Sequence, residues 1–341
     1  MHRIHLTTDD LARVRMAPTL GPMAETMFSL YTLRGGRASG RAEEAVFGAW
    51  RRRVRGGLDA RSAVLAAITP ARRPSFDMVL LSGPGRDLTE SAETFLASPR
   101  QAVRAELDFY AFYHRRVPGT LAGLVDTLAV RREVLSTVQA YHGAAVGPHW
   151  RRIRAHLDAE RAQRGTILLD HGVDGLLSSL HPDIRWTPPT LQVHVGDQFD
   201  ADFALEGRGL LLVPSFFLRA PSVMYDPLEP SNCILIYPAG VGIDHAADIW
   251  TAGTSTRALA NLLGHTRASV LTAIADGVAT TGTLARRLDI SSAAISQHTA
   301  VLREAGLITT RRHRSSVLHN LTQTGLTLLD RPHTPLAEDG E

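Results

Sequence analysis

The chain contains a single cysteine, Cys233, among its 341 residues. One thiol cannot form a disulfide within the chain, and it cannot supply the set of thiolates that many structural zinc sites use. No apolar run approaches the roughly 20 residues that a membrane-spanning helix needs, and the first residues lack the apolar core of a signal peptide. These absences predict a cytoplasmic chain with no membrane partner, no metal and no cofactor.

The chain contains no lysine, and all 37 basic residues are arginines. A GC-rich coding bias accounts for this preference, so arginine content alone does not indicate nucleic-acid recognition. The formal net charge of +3 is small, but its distribution is uneven. Residues 257–321 carry eight arginines and three acidic residues, a charge of +5 that leaves the remainder near −2. This concentration is typical of a phosphate-binding surface.

Residues 280–321 have the pattern of two short helices followed by a basic hairpin. Thr280 or Thr281 can cap a first helix that buries Leu284, and a tight turn follows at Asp289. The order of a helix, a turn and a second helix predicts a helix-turn-helix, although such patterns also occur in ordinary globular cores.

Ser291 or Ser292 can cap the second helix, and Gly306 ends it. Its periodicity predicts a buried face with Ile295, Thr299 and Leu302. The opposite face is small and polar, and it carries Ala293, Ala294, Ser296 and Gln297. Small side chains let a helix approach the floor of the DNA major groove closely, and serine and glutamine can hydrogen-bond to base edges.

A basic hairpin is expected after this helix. Leu307 and Ile308 start its first strand, and Val317 with Leu318 returns as the second. The run from Arg311 to Arg314 is expected to form the turn between them.

These residues resemble the winged helix-turn-helix domain of the ArsR family of bacterial transcription regulators, in the run SSAAISQHTAVLREAGLI followed by RR and SVL. The resemblance implies a homodimer that places the helix of residues 292–303 in the major groove of double-stranded DNA and the wing on the DNA backbone. With the basic charge, it predicts these DNA-binding residues: Ser291, Ser292, Ala294, Ser296, Gln297, His298, Arg303, Arg311, Arg312 and Arg314.

The sequence departs from the family pattern at three places. Thr299 stands where the family usually has leucine, and Arg314 stands where the wing tip usually has glycine. Residues 280–283 occupy the place where metal-sensing members carry a Cys-x-Cys motif. Metal sensing through thiolates is therefore not expected.

The preceding region is mostly helical in pattern from residue 8 to about 180, and the apolar period then changes to two. Strands are expected at Leu191 to Val195, Leu210 to Val213 and Ile234 to Tyr237. The predicted fold class is α+β, mainly α, with a small antiparallel sheet at the end of an N-terminal domain of residues 1–245. The winged helix-turn-helix domain then spans residues 255–330.

The N-terminal region also resembles a group of long ArsR-type regulators, mostly from actinobacteria, in the segments DDLARVRMAP, PHWRRIRAHLDAE, LHPDIRW, GRGLLLVPS and LIYPA. Regulators of this group carry a large N-terminal domain of uncharacterised function. The resemblance supplies an architecture, but it identifies no ligand.

Chemical sites in the N-terminal domain are weakly indicated. His171 and Asp174, with Asp170, His181 and Asp183 nearby, are the best candidates for metal or acid–base chemistry, but capping and surface hydrogen bonding explain such spacing better. The arginines at 51, 52, 53 and 55 are interpreted as a solvated helix end, with an accessory phosphate contact as the alternative. Aromatic residues of the helical region, such as Phe109 to Tyr113, are assigned to core packing or to an effector cavity.

The sequence thus predicts a sequence-specific, homodimeric DNA-binding transcription regulator, a repressor rather than an enzyme. Its N-terminal domain is expected to bind a small-molecule effector or to dimerise. An enzyme-like or protein-interaction N-terminal domain with an attached DNA-binding module is the alternative.

Overall fold

The computed structural model describes the chain except for residues 36–39, 58–61, 71–74, 196–199, 226–232, 243–245, 247–248, 251–253, 276–278, 314–315 and 331–341. Arg314, one of the predicted DNA-binding residues, lies outside the described part. The chain divides into two compact units, Met1–Ala246 and Ala247–Glu341. Over the described ranges, no helix combines the length and apolar character needed to cross a membrane.

Helices make up most of the N-terminal unit before residue 180, as the periodicity predicts. They are α1 (Thr8–Leu11), α2 (Pro22–Arg34), α3 (Arg41–Gly56), α4 (Ser62–Ile68), α5 (Met78–Ser82), α6 (Leu88–Ala97), α7 (Arg100–His114), α8 (Gly119–Ala122), α9 (Leu128–Ala145) and α10 (Trp150–Ser179). Local capping sets several boundaries. The side chains of Asp77 and Asp87, for example, accept the backbone N–H groups of Leu80 and Glu90 at 2.9 Å, which starts α5 and α6.

The strands of the N-terminal unit form two four-stranded sheets. The strands are β1 (His2–His5), β2 (Arg15–Met16), β3 (Ile184–Thr187), β4 (Thr190–Val193), β5 (Ala201–Ala204), β6 (Leu210–Ser215), β7 (Ser222–Tyr225) and β8 (Cys233–Pro238). Their orders are β3-β4-β1-β5 and β2-β6-β8-β7. The prediction of one small antiparallel sheet is wrong, because β1 pairs in parallel with β5, and β6 pairs in parallel with both β2 and β8.

Both sheets share one apolar core with the second half of α10. Gly172 adopts a φ of +66° inside α10 and interrupts the helix there, a conformation that glycine accepts without strain. Leu176 and Leu177 follow this break and are fully buried. The core also contains Ile4, Leu191, Val193, Leu212, Cys233 and Leu235.

The helical part of the N-terminal unit is tied to the second sheet by a buried carboxyl. Glu25 lies on α2, is 1 % exposed, and accepts the backbone N–H groups of Phe216 and Phe217 at 3.2 and 3.1 Å. Burial raises its pKa to about 7. Because two backbone donors face this carboxyl, it fixes the chain that follows β6 against α2.

Two arginines of α3 cap the C-terminal end of α2. Arg51 is buried and donates from Nε to the carbonyl of Thr32 at 2.7 Å, and Arg55 donates to the carbonyl of Leu33 at 2.5 Å. The interpretation of this arginine run as a solvated helix end is therefore wrong for Arg51, which is 4 % exposed, whereas Arg55 stays exposed at the helix end. Their guanidinium groups donate to carbonyls of the last turn of α2, of which the Thr32 carbonyl also accepts the backbone N–H of Gly35 at 3.2 Å.

The C-terminal unit combines short helices with a three-stranded sheet. Its elements are α11 (Thr254–Leu263), α12 (His265–Ala275), β9 (Ala279–Thr280), α13 (Thr281–Leu288), α14 (Ser292–Glu304), β10 (Ile308–His313), β11 (Ser316–Leu321) and α15 (Gln323–Asp330). The sheet order is β10-β11-β9. The core of this unit includes Val270, Leu271, Ile274, Leu284, Ile295, Leu302, Leu307 and Ile308. These residues fix α13, α14 and the hairpin on one apolar centre.

Candidate nucleic-acid interface

Capping side chains define the start of both helices of the α13–α14 pair. The Thr280 hydroxyl accepts the backbone N–H of Thr283 at 3.1 Å, and the Ser291 hydroxyl accepts that of Ala294 at 3.1 Å. Between the helices, Asp289 adopts a left-handed conformation with a φ of +54°. Of the two cap residues that the sequence allowed for each helix, the structure selects Thr280 and Ser291.

The end of α14 is also set locally. Gly306 has a φ of +69°, and the backbone N–H groups of Gly306 and Leu307 donate to the carbonyls of Arg303 and Leu302 at 2.9 Å. This is the arrangement in which a glycine ends a helix and reverses the chain. The expected stop at Gly306 is confirmed, and the chain continues from there into β10.

The two faces of α14 differ as the periodicity predicts. Ile295, Thr299 and Leu302 are buried in the unit's core. Ala294 and His298 are half-buried at the margins. The exposed positions are Ser292, Ala293, Ser296, Gln297, Val301 and Arg303. A helix held by its apolar side thus presents to solvent a polar strip of mostly small side chains, which also contains the apolar Val301, 43 % exposed.

Ser291 at the N-cap of α14 and Ser296 on its polar strip have hydrogen-bonding capacity left for a ligand. The Ser296 hydroxyl donates to the Ser292 carbonyl at 2.9 Å, and the Ser291 hydroxyl acts as an acceptor in its cap. A hydroxyl has one donor and two acceptor positions, so each retains at least one of them. Within the described chain, the Gln297 amide has no hydrogen bond, so it can offer both its oxygen and its NH₂ group.

Thr299 fills a core position where leucine is usual in the family that the sequence resembles. It is 4 % exposed, and its hydroxyl donates to the carbonyl of Ile295 at 2.9 Å. The polar atom is therefore satisfied inside the helix. The departure leaves the helix in place and gives the core a smaller, hydrogen-bonded side chain.

The hairpin differs from the sequence-based expectation. Arg311, Arg312 and His313 do not form a turn, because they are the last residues of strand β10 and pair with residues 318, 317 and 316 of β11. Strand pairing therefore continues farther towards the tip than the basic run suggested. Arg311 is exposed at the surface, as is Arg303 at the end of α14.

Several basic side chains of the helix pair and the hairpin have no described acidic partner. No described carboxylate forms an ion pair with Arg286, Arg303 or Arg311. Guanidinium groups that are exposed and unpaired remain free to bind phosphate oxygens, with planar donor pairs that match phosphate geometry. The unit thus combines a polar helix face with cationic positions on the same helix and on the neighbouring strand.

His319 is a residue of this site that the sequence analysis missed. It is 3 % exposed in β11, and its ring nitrogens lie 3.1 Å from the hydroxyls of Thr281 and Thr310. A polar residue within a strand pattern, flanked by Leu318 and Leu321, was the available signal. Its partners are 38 and 9 residues away, so the interaction itself has no local signature.

The weak candidates of the N-terminal unit have local partners, and His181 Nδ1 lies 3.7 Å from a carboxylate oxygen of Asp183. Asp174 accepts a hydrogen bond from the indole of Trp186 at 2.5 Å, and His181 Nδ1 accepts the backbone N–H of Asp183 at 3.1 Å. His171 is exposed on α10. Over the described ranges, no three metal-binding side chains lie close enough together to hold an ion. These surroundings fit the capping and hydrogen-bonding interpretation.

The single thiol and several aromatic side chains also have defined surroundings. Cys233 is 1 % exposed in β8, where burial, with a smaller contribution from the Asp10 carboxylate, raises its pKa to about 12. The thiol is therefore protonated and unreactive at neutral pH. By contrast, Phe109, Phe112 and Tyr113 are exposed on α7, at 41, 79 and 39 %. Core packing therefore does not account for these three rings.

Comparison with known proteins points to the same region. Residues 265–311 match a family described as a helix-turn-helix domain, a span from α12 into β10. A stretch of 58 residues, 17 % of this chain, is 38 % identical to the transcriptional activator HlyU of Vibrio cholerae. That match covers 54 % of the HlyU sequence, so the chain spans about half the length of this relative.

A solved structure of reduced HlyU from Vibrio cholerae is similar as well. Its sequence is 29 % identical, and the match covers 21 % of this chain and 79 % of that one, with a TM-score of 0.19. The TM-score does not establish a common fold by itself. The sequence match and the α13–α14 geometry together identify a helix-turn-helix domain in the C-terminal unit.

Proposed function

We propose that the chain is a cytoplasmic, sequence-specific DNA-binding transcription regulator in which α14 enters the major groove. The observation that carries this proposal is the polar strip of α14, which is exposed along a helix whose other face is fixed in the core. The helix-turn-helix match and the transcriptional role printed for the Vibrio relative support it. Membership of the ArsR family, and of its long actinobacterial group, belongs to the same proposal.

Each position of the site has a chemical role in this proposal. Gln297 reads a base edge, since glutamine can form two hydrogen bonds with adenine. The serines bond to bases or phosphates, the alanine lets the helix backbone approach, and His298 borders the groove. The arginines bind phosphates. The proposed DNA-binding set is Ser291, Ser292, Ala294, Ser296, Gln297, His298, Arg303, Arg311, Arg312 and Arg314.

Salt dependence tests the phosphate contacts. Binding of the full chain to duplex DNA from its own promoter region is measured by fluorescence anisotropy at several salt concentrations. Arg311→Ala is expected to weaken binding to all sequences and to reduce the log–log salt slope by about 0.9, the value for one phosphate contact in B-DNA.

Arg104→Ala is the matched control, because Arg104 is exposed on α7 of the N-terminal unit. It should leave the slope unchanged. Salt-independent binding, or no binding at all by the unsubstituted chain, would refute the proposed function.

Sequence preference tests α14 separately. Gln297→Ala is expected to relax the preference at one base pair of each half-site, by about 1–3 kcal/mol of discrimination, while the salt slope stays the same. Competition titrations with single-base-pair variants of the bound DNA measure this. An unchanged preference would remove Gln297 from the reading residues.

The active form in this proposal is a homodimer. Leu262 on α11 is 68 % exposed, and burial against a second C-terminal unit would remove this apolar surface from water. Leu262→Glu should shift the sedimentation coefficient towards that of a monomer. Leu169→Glu is the control, since Leu169 is 87 % exposed on α10 of the other unit and should leave the mass unchanged. An unaltered dimer in both variants would place the interface elsewhere.

Repression is the expected sign of regulation, whereas the Vibrio relative is named as an activator. A reporter fused to the bound promoter, compared in cells with and without the gene, separates the two. Higher expression without the protein supports repression, and lower expression supports activation.

We further infer that the N-terminal unit binds a small-molecule effector. A cleft of about 740 Å³ lies where the end of α10 meets β3 and the end of β8, and it is lined partly by Arg164, His181, Arg185 and Trp186. A ligand that changes DNA affinity must bind one conformer better, and DNA must then change ligand affinity by the same factor. A thermal-shift screen with a metabolite library, repeated with Arg185→Ala, tests this cleft; equal shifts in both proteins would exclude it.

A protein-interaction role of the N-terminal unit is the second candidate function. It is favoured by the exposed rings of Phe109, Phe112 and Tyr113, in which the Tyr113 ring contacts each of the other two edge to face at 5.1 Å between centroids. Contiguous exposed aromatic surface is characteristic of interfaces. Photo-crosslinking in cells from position 112 tests it, and a failure to crosslink to any protein would remove this candidate.

A further inference from the structure

His319 lies where the hairpin meets the helix pair of the C-terminal unit. Its β11 position pairs with Thr310 of β10 on one side and with Ala279 of β9 on the other. The side chain is 3 % exposed, which places an ionisable ring almost entirely inside the unit. Buried polar groups in proteins are nearly always hydrogen-bonded, and this one has two partners.

The two partners belong to different elements. Nδ1 lies 3.1 Å from the Thr310 hydroxyl in β10, and Nε2 lies 3.1 Å from the Thr281 hydroxyl in the first turn of α13. A neutral imidazole has one donor and one acceptor nitrogen, and a threonine hydroxyl can serve as either partner. Both hydrogen bonds can therefore form in either tautomer, and together they connect both strands of the hairpin to α13.

Burial and a nearby positive charge oppose protonation of His319. Burial, and secondarily the positive charge of Arg303 on α14, lower the pKa of its imidazole below the usual 6.5. The half-buried His298 also lies on α14. The other described charged side chains on the elements packed against β11 are exposed, and they are His265, Arg267, Arg286, Arg287, Asp289, Glu304 and Arg311. No described carboxylate contacts the ring to compensate a positive charge.

We propose that His319 is a positioning residue that fixes the β10–β11 hairpin to the helix pair, so that Arg311 and the polar strip of α14 meet DNA in one rigid arrangement. This inference rests on the proposed DNA-binding function. In this proposal, the buried His319 side chain touches no DNA itself but sets the spacing between the phosphate contacts and the base contacts. Preorganised surfaces bind more tightly because they lose less conformational freedom on binding.

Protonation is expected to loosen this arrangement. A protonated imidazole has two donors and no acceptor, and its charge is buried close to Arg303. Because the folded-state pKa is lowered, the neutral ring contributes stability that is present at neutral pH and is lost as the pH falls below about 6.5. The affinity of the unsubstituted chain for DNA should therefore fall between pH 7.5 and 5.5. This loss should exceed any change in affinity that titration of the DNA phosphates causes.

Two substitutions separate positioning from folding. His319→Leu fills the buried site with an apolar side chain and removes both hydrogen bonds, whereas His319→Gln keeps hydrogen-bonding atoms but cannot be protonated. With the full chain and promoter DNA, His319→Leu is expected to lower the log–log salt slope by about 0.9 for each phosphate that the hairpin ceases to bind. His319→Gln is expected to retain most affinity at pH 7.5 and to lack the additional loss of affinity at pH 5.5.

His265→Gln is the matched control, because His265 is exposed on α12, and it should leave the pH profile unchanged. Hydrogen–deuterium exchange gives a readout that does not depend on DNA. In His319→Leu, amide exchange should rise in residues 308–313 and in the first turn of α13, while it stays unchanged in the second half of α14.

The outcomes are distinguishable. If the unsubstituted chain shows no salt-dependent DNA binding, the proposed function fails, whatever the exchange data show. If DNA binding is salt-dependent but His319→Leu retains both the normal slope and the normal exchange in β10, the positioning role is refuted. A pH profile of His319→Gln that matches the unsubstituted chain would refute the role of protonation.

Discussion

Ser291 allows the structural and functional roles of the helix start to be separated by two substitutions. Its hydroxyl is exposed, and it accepts the backbone N–H of Ala294 at 3.1 Å at the beginning of α14. In the proposed function, the same end of the helix faces DNA. Ser291→Ala removes the cap, whereas Ser291→Asp keeps an oxygen that can accept the same hydrogen bond but adds a negative charge.

The two substitutions are expected to rank in opposite order for stability and for DNA affinity. Loss of an N-cap acceptor costs ~1 kcal/mol of unfolding free energy, so the alanine variant should be less stable by about that amount. Aspartate caps as well as serine does, and its charge at a helix N-terminus contributes about 0.3–1 kcal/mol of further stability. On DNA the aspartate faces phosphates, and like charges about 4 Å apart repel by ~1 kcal/mol even in bulk water, or about a fivefold loss of affinity.

Calorimetry of the full chain and anisotropy titration with promoter DNA measure the two quantities. The alanine variant should unfold at a lower temperature and lose only what the Ser291 hydroxyl contributes to DNA binding, whereas the aspartate variant should unfold at or above the normal temperature and bind DNA more weakly than the alanine variant. Normal DNA binding by the aspartate variant would refute the placement of Ser291 at DNA. Normal stability of the alanine variant would refute the capping argument.

Two further predictions concern stability. Glu106 is 8 % exposed and accepts the backbone N–H of Asp77 at 2.7 Å; burial, reinforced by the Asp77 carboxylate, raises its pKa to about 7. Because this pKa lies above the usual 4.5, the folded chain loses stability as the pH rises through about 7. Glu106→Gln should remove up to ~3 kcal/mol of that loss between pH 5 and 8. Thermal unfolding at several pH values measures this. Glu25 acts with the same sign and keeps part of the pH dependence, but an unchanged profile in the variant would contradict the assignment. Thr299→Val should leave the C-terminal unit equally stable or stabilise it by up to about 1 kcal/mol, because the lost hydroxyl bonds only within its own helix; a destabilisation above about 1 kcal/mol would show that this hydrogen bond matters more than its geometry indicates.

The helix-turn-helix could be predicted from the sequence because its signals are local. Caps at Thr280 and Ser291, the left-handed turn at Asp289 and the stop at Gly306 all depend on residues within one helical turn. The apolar period of α14 also identified its buried face correctly. Such features are specified by neighbouring residues and do not need knowledge of tertiary packing.

The errors occur where distant residues decide the structure. The first strand pairs in parallel with residues about 199 positions away, as His2 with Ala201, and the strand at Arg15–Met16 has only two residues. No local pattern indicates such pairings. The basic run after Thr310 looked like a turn, but cross-strand pairing with β11 extends the strand through it.

The contacts of the α3 arginines also depend on residues that are distant in the sequence. A run of arginines on a helix usually indicates a solvated face, and sequence alone does not reveal that Arg51 and Arg55 reach the end of another helix. Likewise, the partners of His319 come from α13 and β10, so its role at the hairpin depends on the assembled unit. Both cases join polar groups across elements, which residue patterns do not encode.

Selection from a random duplex DNA library tests the central claim most directly. The full chain is incubated with the library at about 0.15 M salt, bound duplexes are recovered and sequenced, and several rounds are compared with the starting pool. The proposed homodimer predicts enrichment of one inverted repeat whose half-sites are centred about 10 base pairs apart, or a multiple of that spacing. Sequences that remain as diverse as the starting pool after several rounds would contradict sequence-specific recognition by α14.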